Sequence, residues 1–287
     1  MRSFQRLQSS LRYSFLPRLI DALIALSTVP ARSRLAQKNL TRILIDSSVI
    51  GHGVTHESTW VSTGTELWGG EVELETGYLA RVPIHDPRKN NELLSSVQYL
   101  PGLVDLTKRG LLELWTSPEL LDERLSQPSG RYSGYSLYSY SLFRSIKLHT
   151  VRDPDYSVTI SGHQDLLPTV EDQRSRRLAG RQDPLFVSLV NALGAKSTQD
   201  AFHIATAERN GIPVFLTMDF RLLKNLQAQR RNSAISSLRT RVLSPEQFGR
   251  EVGLPPIPPI LLSYHEASFP VETSSHLGGE RRRKTKR

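Results

Sequence analysis

The chain contains no cysteine and only two methionines among its 287 residues. Disulfides and thiolate-held zinc are excluded, and a reducing, cytoplasmic location is the expectation. No uninterrupted run of 18 apolar residues occurs, so neither a membrane-spanning helix nor a membrane partner is expected. Acids are nearly missing from the N-terminal stretch, where residues 1–42 hold eight Lys or Arg and one acid, Asp21. Residues 281–287 (RRRKTKR) hold six cations and no acid. With +7 and +6 on those two ends out of a net +9, residues 43–280 carry −4. An acidic middle argues against a module that grips nucleic acid by its own net charge. The basic ends can still add sequence-independent attraction to phosphates.

What is present reads as one main domain with additions. In residues 1–42, PRLIDALIAL (17–26) suits a short helix with Pro in its first turn. It is expected to dock on the domain, although an Arg- and Ser-rich start also resembles a transit peptide. Ile43 to Asp46 is an apolar run ending in an acid, as a strand buried on both faces of a parallel sheet would be. An insertion follows at about 52–90. In it EVELE and YLARVPI flank Thr76-Gly77 and read as a hairpin turning there.

Residues 91–108 are expected as a helix broken near Pro101-Gly102, and Leu111–Trp115 as a second strand. Ser117-Pro118 opens a helix with Ser as N-cap and Pro at the first position. A second insertion spans 126–182. Its Tyr132, Tyr135, Tyr138 and Tyr140 lie among Ser, Gly and cations. They could stack bases, but a mobile surface loop is the simpler expectation. Residues 183–193 read as a helix stopped by Gly194, and 198–210 as another. Strands at 212–217 and 241–243 and a helix from Ser244-Pro245 complete the domain at 252. A Pro-rich, basic tail, 253–287, is expected to be disordered. The alternation of strand and helix over 43–252 gives the fold class: α/β, three layers, with a mostly parallel central sheet.

Four acids carry the chemistry. Asp46 and Asp219 follow strands, so on a parallel sheet they share its carboxyl edge, where such folds bind ligands. Asp200 lies near the start of the helix before the second of those strands. A right-handed crossover brings that end over the same edge. Glu123 is on the helix opened by Ser117. Each acid also has an innocent role. Ser197 with Asp200 approximates a capping box, Asp46 and Asp219 can cap turns, and Glu123 can face solvent. Together they would repel, at about 4 kcal/mol per pair at ~4 Å, unless protonated or joined to a cation. An all-oxygen set suits Mg²⁺ or Mn²⁺, ions that serve phosphodiester hydrolysis.

The segments ILIDSSVI, SPELLDERL, TQDAFHIATA and VFLTMDFRLL, in that order, resemble the PIN-domain nucleases, notably the toxin ribonucleases of toxin–antitoxin pairs. RVLSPEQF resembles the closing strand and helix of that family, and the 19 residues between Asp200 and Asp219 match its spacing. The resemblance covers about 43–125 and 183–252. It implies a PIN-like domain and a metal-dependent endoribonuclease acting on RNA. Asp46, Glu123, Asp200 and Asp219 would be its catalytic, metal-binding acids. Ser48 and Thr217 would orient ligand or phosphate. It also implies room for an antitoxin or inhibitor protein and for a homodimer. Asp122 is one step off the pattern and Glu119 would face elsewhere. His203, one turn from Asp200, could donate a hydrogen bond behind the acids.

The chain departs from the family in length. Asp46 to Glu123 and Glu123 to Asp200 are each 77 residues, stretched by the insertions. Two other readings stand beside the nuclease. One is a catalytically silent PIN-like module binding RNA or protein. The other is a phosphate-handling enzyme with Asp46 as nucleophile, which lacks a second Asp two residues on. His52 and His56, with His85 downstream, have a zinc-like spacing, but the Gly and Thr around them argue against the helix it needs.

Overall fold

The computed structural model describes residues 10–38, 40–86, 88, 91–135, 138–158 and 169–275. Seven strands run Arg42–Ile45 (β1), His56–Trp68 (β2), Val72–Pro83 (β3), Glu113–Thr116 (β4), Leu148–Thr150 (β5), Val214–Leu216 (β6) and Arg241–Leu243 (β7). Five of them form one all-parallel sheet in the order β5-β4-β1-β6-β7. Helices cover both faces, so the α/β expectation holds.

β1 is the central strand because its residues are apolar on both sides. Ile43 and Ile45 join a cluster that includes Leu35, Leu103 and Phe248. Leu44 points the other way, to Phe202, Phe215 and Leu189. All three β1 residues are fully buried. Each stabilises the fold by about 1.5–3 kcal/mol relative to an exposed side chain.

The connections decide where a site can form. From β1 the chain goes outward to β4 and β5, then returns to the other side of β1 for β6 and β7. The crevice past the carboxyl ends of β1 and β6 is therefore the point where the winding reverses. The helices of six residues or more are Leu16–Ser27 (α1), Val29–Lys38 (α2), Ser47–His52 (α3), Glu92–Val97 (α4), Leu100–Lys108 (α5) and Pro118–Leu125 (α6), which follows β4 directly. Further on come Val170–Ala179 (α7), Pro184–Leu193 (α8), Thr198–Arg209 (α9), Phe220–Ala228 (α10) and Pro245–Val252 (α11). Gly194 ends α8 at φ 88°, the backbone that its place past the helix requires.

Three sequence expectations need correction. The hairpin exists, but its turn is at Gly69-Gly70, both at positive φ. EVELE and YLARVPI lie in or beside the single strand β3, and Gly77 pairs with Ser62 mid-ladder. Two adjacent glycines form a tight turn at no steric cost, which outweighs the Thr-Gly signal. The tyrosine run is not a mobile loop throughout: Tyr140 is buried with Val54 and Ile84, under the guanidinium of Arg81 at 4.4 Å. The segment 253–275 is not a disordered tail. Leu254, Ile257 and Leu262 are buried, and the Ile257 amide donates to the Gln98 carbonyl at 2.8 Å. The rest of that expectation, 276–287, lies outside the described residues, as do 159–168 of the second insertion. The helical run Leu11–Lys38 is, by length and composition alone, long and apolar enough to cross a membrane. Its Ile20, Ile24, Ala31 and Leu35 are buried against the rest of the chain.

The second insertion is fastened by two buried arginines that the sequence left among polar loops. Arg177 of α7 donates to Glu119 from Nε at 2.7 Å and from Nη2 at 2.8 Å, and to Asp122 at 2.6 Å. Glu119 and Asp122 are both on α6, and all three side chains are nearly buried. Arg181 pairs with Asp153 and Asp155 and stacks over Phe202 at 5.0 Å. Removing one partner of a buried ion pair leaves the other charge uncompensated. Arg177→Met is expected to cost roughly 3–5 kcal/mol in urea unfolding. A loss below about 1 kcal/mol, the range of exposed pairs, would show that the triad does not hold the insertion.

Candidate metal centre

The site grows from the ends of β1 and β6. Asp46 directly follows β1, and its amide donates to the Leu216 carbonyl at the end of β6. Its Oδ2 accepts from Ser48 Oγ at 2.5 Å and from Thr217 Oγ1 at 2.7 Å. Ser47 Oγ is a longer donor to Oδ1, at 3.3 Å. The two hydroxyls on Oδ2 are themselves fixed. Ser48 Oγ accepts from the Met218 amide and Thr217 Oγ1 from the Asp219 amide, each at 3.0 Å. One carboxylate oxygen thus ties the strand ends together, and the other has only the long Ser47 contact among the described residues.

Asp219 is the N-cap of α10. Its Oδ1 accepts from the Arg221 and Leu222 amides at 2.9 and 3.0 Å, so the capping role expected of it is real and occupies one oxygen. Asp200 sits in the first turn of α9, over the same edge. The capping box considered for it does not form, since Ser197 makes no side-chain cap. Among the described residues no hydrogen bond holds the Asp200 carboxyl.

Charge accounts for its behaviour. Burial first, then the negative charges of Asp219, Asp46 and Glu123, push the Asp200 carboxyl up to about 7, and Arg221 pulls the other way. The other three sequence-selected acids are therefore within electrostatic reach of Asp200. Glu119 and Asp122, the rejected alternatives on α6, are taken by Arg177. Glu123 is the acid of that helix turned toward Asp200. Among the described residues no three His, Cys, Asp or Glu side chains stand close enough to enclose an ion as they are. The donor set nonetheless fits a hard divalent cation, because it is all oxygen and holds a half-buried carboxyl that its like-charged neighbours destabilise.

The supporting residues differ from expectation in two cases. Thr217 is fully buried, and its hydroxyl joins Asp46 to the Asp219 amide. It orients an acid and does not reach a ligand. Ser48 performs the same service from the other strand end. His203 is fully buried between the rings of Phe202 and Phe215, at 5.9 and 6.1 Å. Burial lowers its pKa to about 4, and neither ring nitrogen has a hydrogen-bond partner among the described residues. It is a neutral packed ring, not a charged donor. His56 is likewise engaged, with Thr55 on one nitrogen and Ser263 on the other.

Two contributors were not singled out. Tyr132 hydrogen-bonds Ser47 and feels the charge of Glu123, with the Arg124 guanidinium 5.5 Å from its ring. Of the four tyrosines it is the one that reaches this site. Arg221, the first residue after the α10 N-cap pair Asp219-Phe220, faces Asp200. Its position two residues after the last acid was the available signal. Arg221 thus acts on Asp200, and Arg124 and Arg131 lie beside Tyr132. Comparison of the chain with protein families, with curated proteins and with solved structures finds no match.

The raised Asp200 pKa has a sign that can be checked. Its ordinary value is near 4. Between about pH 4 and about pH 7 the folded chain keeps a proton that the unfolded chain has lost. This stabilises the fold fully below about pH 4, and the contribution is gone above about pH 7. In EDTA, Asp200→Asn is expected to gain melting temperature relative to the native chain as the pH rises from about 4 to 8. Mn²⁺ at the upper pH should close that gap. An offset independent of pH would mean the carboxyl carries no like-charge strain.

Proposed function

We propose that the chain is a PIN-like, divalent-metal-dependent endoribonuclease. The observation that carries the reading is the Asp200 carboxyl, pushed up to about 7 by burial and by three other acids, at the reversal point of a parallel sheet. An uncompensated cluster of that kind costs stability. A site that accepts a cation converts the cost into affinity. The order of the four motifs along the chain supports the same reading, with both insertions lying between them.

Asp46, Asp200 and Asp219 would hold Mg²⁺ or Mn²⁺, with Glu123 completing the pocket. Such an ion, when bound, activates water and neutralises charge on a phosphodiester. The protein's own part is positioning. Ser48 and Thr217 fix one oxygen of Asp46 and leave the other for the ion. The α10 amides fix one oxygen of Asp219. Arg124, Arg131 and Arg221 would draw and align the RNA backbone. They offset the net acidity of the middle region at the point where phosphate must approach.

The test is cleavage of a mixed single-stranded RNA with Mg²⁺ or Mn²⁺. Cutting should vanish in EDTA and in Asp46→Asn and Asp219→Asn. Ser48→Ala and Thr217→Val keep all four acids and should lower metal affinity or rate about 10- to 100-fold, as residues that orient metal ligands do. Native rates in Asp46→Asn would refute the metal-pocket account. Neither cutting nor metal binding would favour the silent binding module.

A further inference from the structure

The first insertion builds an arm that the proposed nuclease does not use. β2 and β3 are 13 and 12 residues long and pair only with each other over their outer halves. At the base Ala80 and Val82 are buried. The same face of β3 continues outward through Tyr78, Leu74 and Val72, with Trp68 opposite Val72. These four are 38, 45, 54 and 73% exposed. A two-stranded ribbon is marginal in water, and a contiguous apolar face on it marks a contact surface. Glu66, paired with Leu74, lies on this same face, Glu71 sits in the turn beside Val72, and no Lys or Arg occurs between 58 and 80.

A second unpartnered face lies on the same chain, with the opposite charge. The helical run containing α1 buries Ile20 and Ile24 against the domain but exposes Leu11, Phe15, Leu19, Leu23 and Leu26. A helix apolar on both sides is expected to be covered on both. Arg12 and Arg18 flank its open face, and neither has an ion-pair partner among the described residues. The two faces match in length. Val72 to Tyr78 spans about 20 Å of strand, and Leu11 to Leu26 about 22 Å of helix.

We propose that the β2–β3 arm of one chain docks its apolar, acidic face on the exposed apolar, basic face of α1 in a second copy. Exchanged both ways, the contact closes a two-fold dimer. The carboxylate centre contributes nothing to this contact.

Sedimentation of the full chain in EDTA tests it, with circular dichroism to confirm that each variant is folded. The native chain should be dimeric at about 100 µM. Trp68→Ser with Leu74→Ser, and separately Leu19→Ser with Leu23→Ser, should each weaken the dimer at least about tenfold. Glu66→Lys with Glu71→Lys should weaken it, as should Arg12→Glu with Arg18→Glu, and the combined charge exchange should restore it. A monomer at that concentration, or a dimer indifferent to both serine pairs, overturns the proposal. So does flotation with phosphatidylcholine–phosphatidylserine vesicles that needs Leu19 and Leu23 but not the arm, since lipid would then own the helix face.

Discussion

The site depends on a pair of hydroxyls that each bond in two directions. Ser48 and Thr217 donate to the same oxygen of Asp46 and accept amides from the turn leading to Asp219. Without them the ends of β1 and β6 would each carry an acid with no fixed relation to the other. With them the two acids share one rigid frame. A hydrogen bond to a carboxylate is worth more than one between neutral groups, so the repulsion between the acids is opposed locally. Asp200 lacks such support, and there the strain appears as a carboxyl that resists ionising.

Burial of charge is used twice, with opposite results. Arg177 and Arg181 enter the protein beside carboxylates and are compensated where they lie. Arg81 enters with carbonyls, His56 and the face of Tyr140 as its partners. Burial lowers its pKa to about 10, and its contacts fasten the hairpin base to the segment around Leu262. Structural arginines with carboxylates hold the second insertion, and an arginine with neutral partners holds the first.

Much of the sheet was legible because a strand buried on both faces leaves an unbroken apolar run, as in Ile43–Ile45 and Val214–Leu216. Asp46, Asp200 and Asp219 were legible because each follows a strand or opens a helix, where topology alone fixes the edge; Glu123, late in α6, was chosen by the resemblance. β5 was not. It is a three-residue edge strand, Leu148–Thr150, with too little periodicity to separate it from its polar surroundings. The place of the hairpin turn was misread because Thr-Gly and Gly-Gly are both turn signals, and the cross-strand register chooses between them. The packing of 253–275 was hidden by proline. Its single apolar residues, such as Ile257, reach the core one at a time and leave no period. The partners of Arg177 are 58 and 55 residues away in the chain, and no local pattern records a contact of that kind.

The Arg177 triad also sorts the acids of α6. Glu119, Asp122 and Glu123 fall within five consecutive residues, and on an isolated helix any of them could turn toward a cation. By occupying two, the second insertion leaves the third to face the centre. The insertion thus decides which acid of α6 stands near Asp200. A relative that lacked α7 would be free to keep Glu123 only if uncharged residues replaced Glu119 and Asp122. The three positions and the basic helix should therefore be gained and lost together.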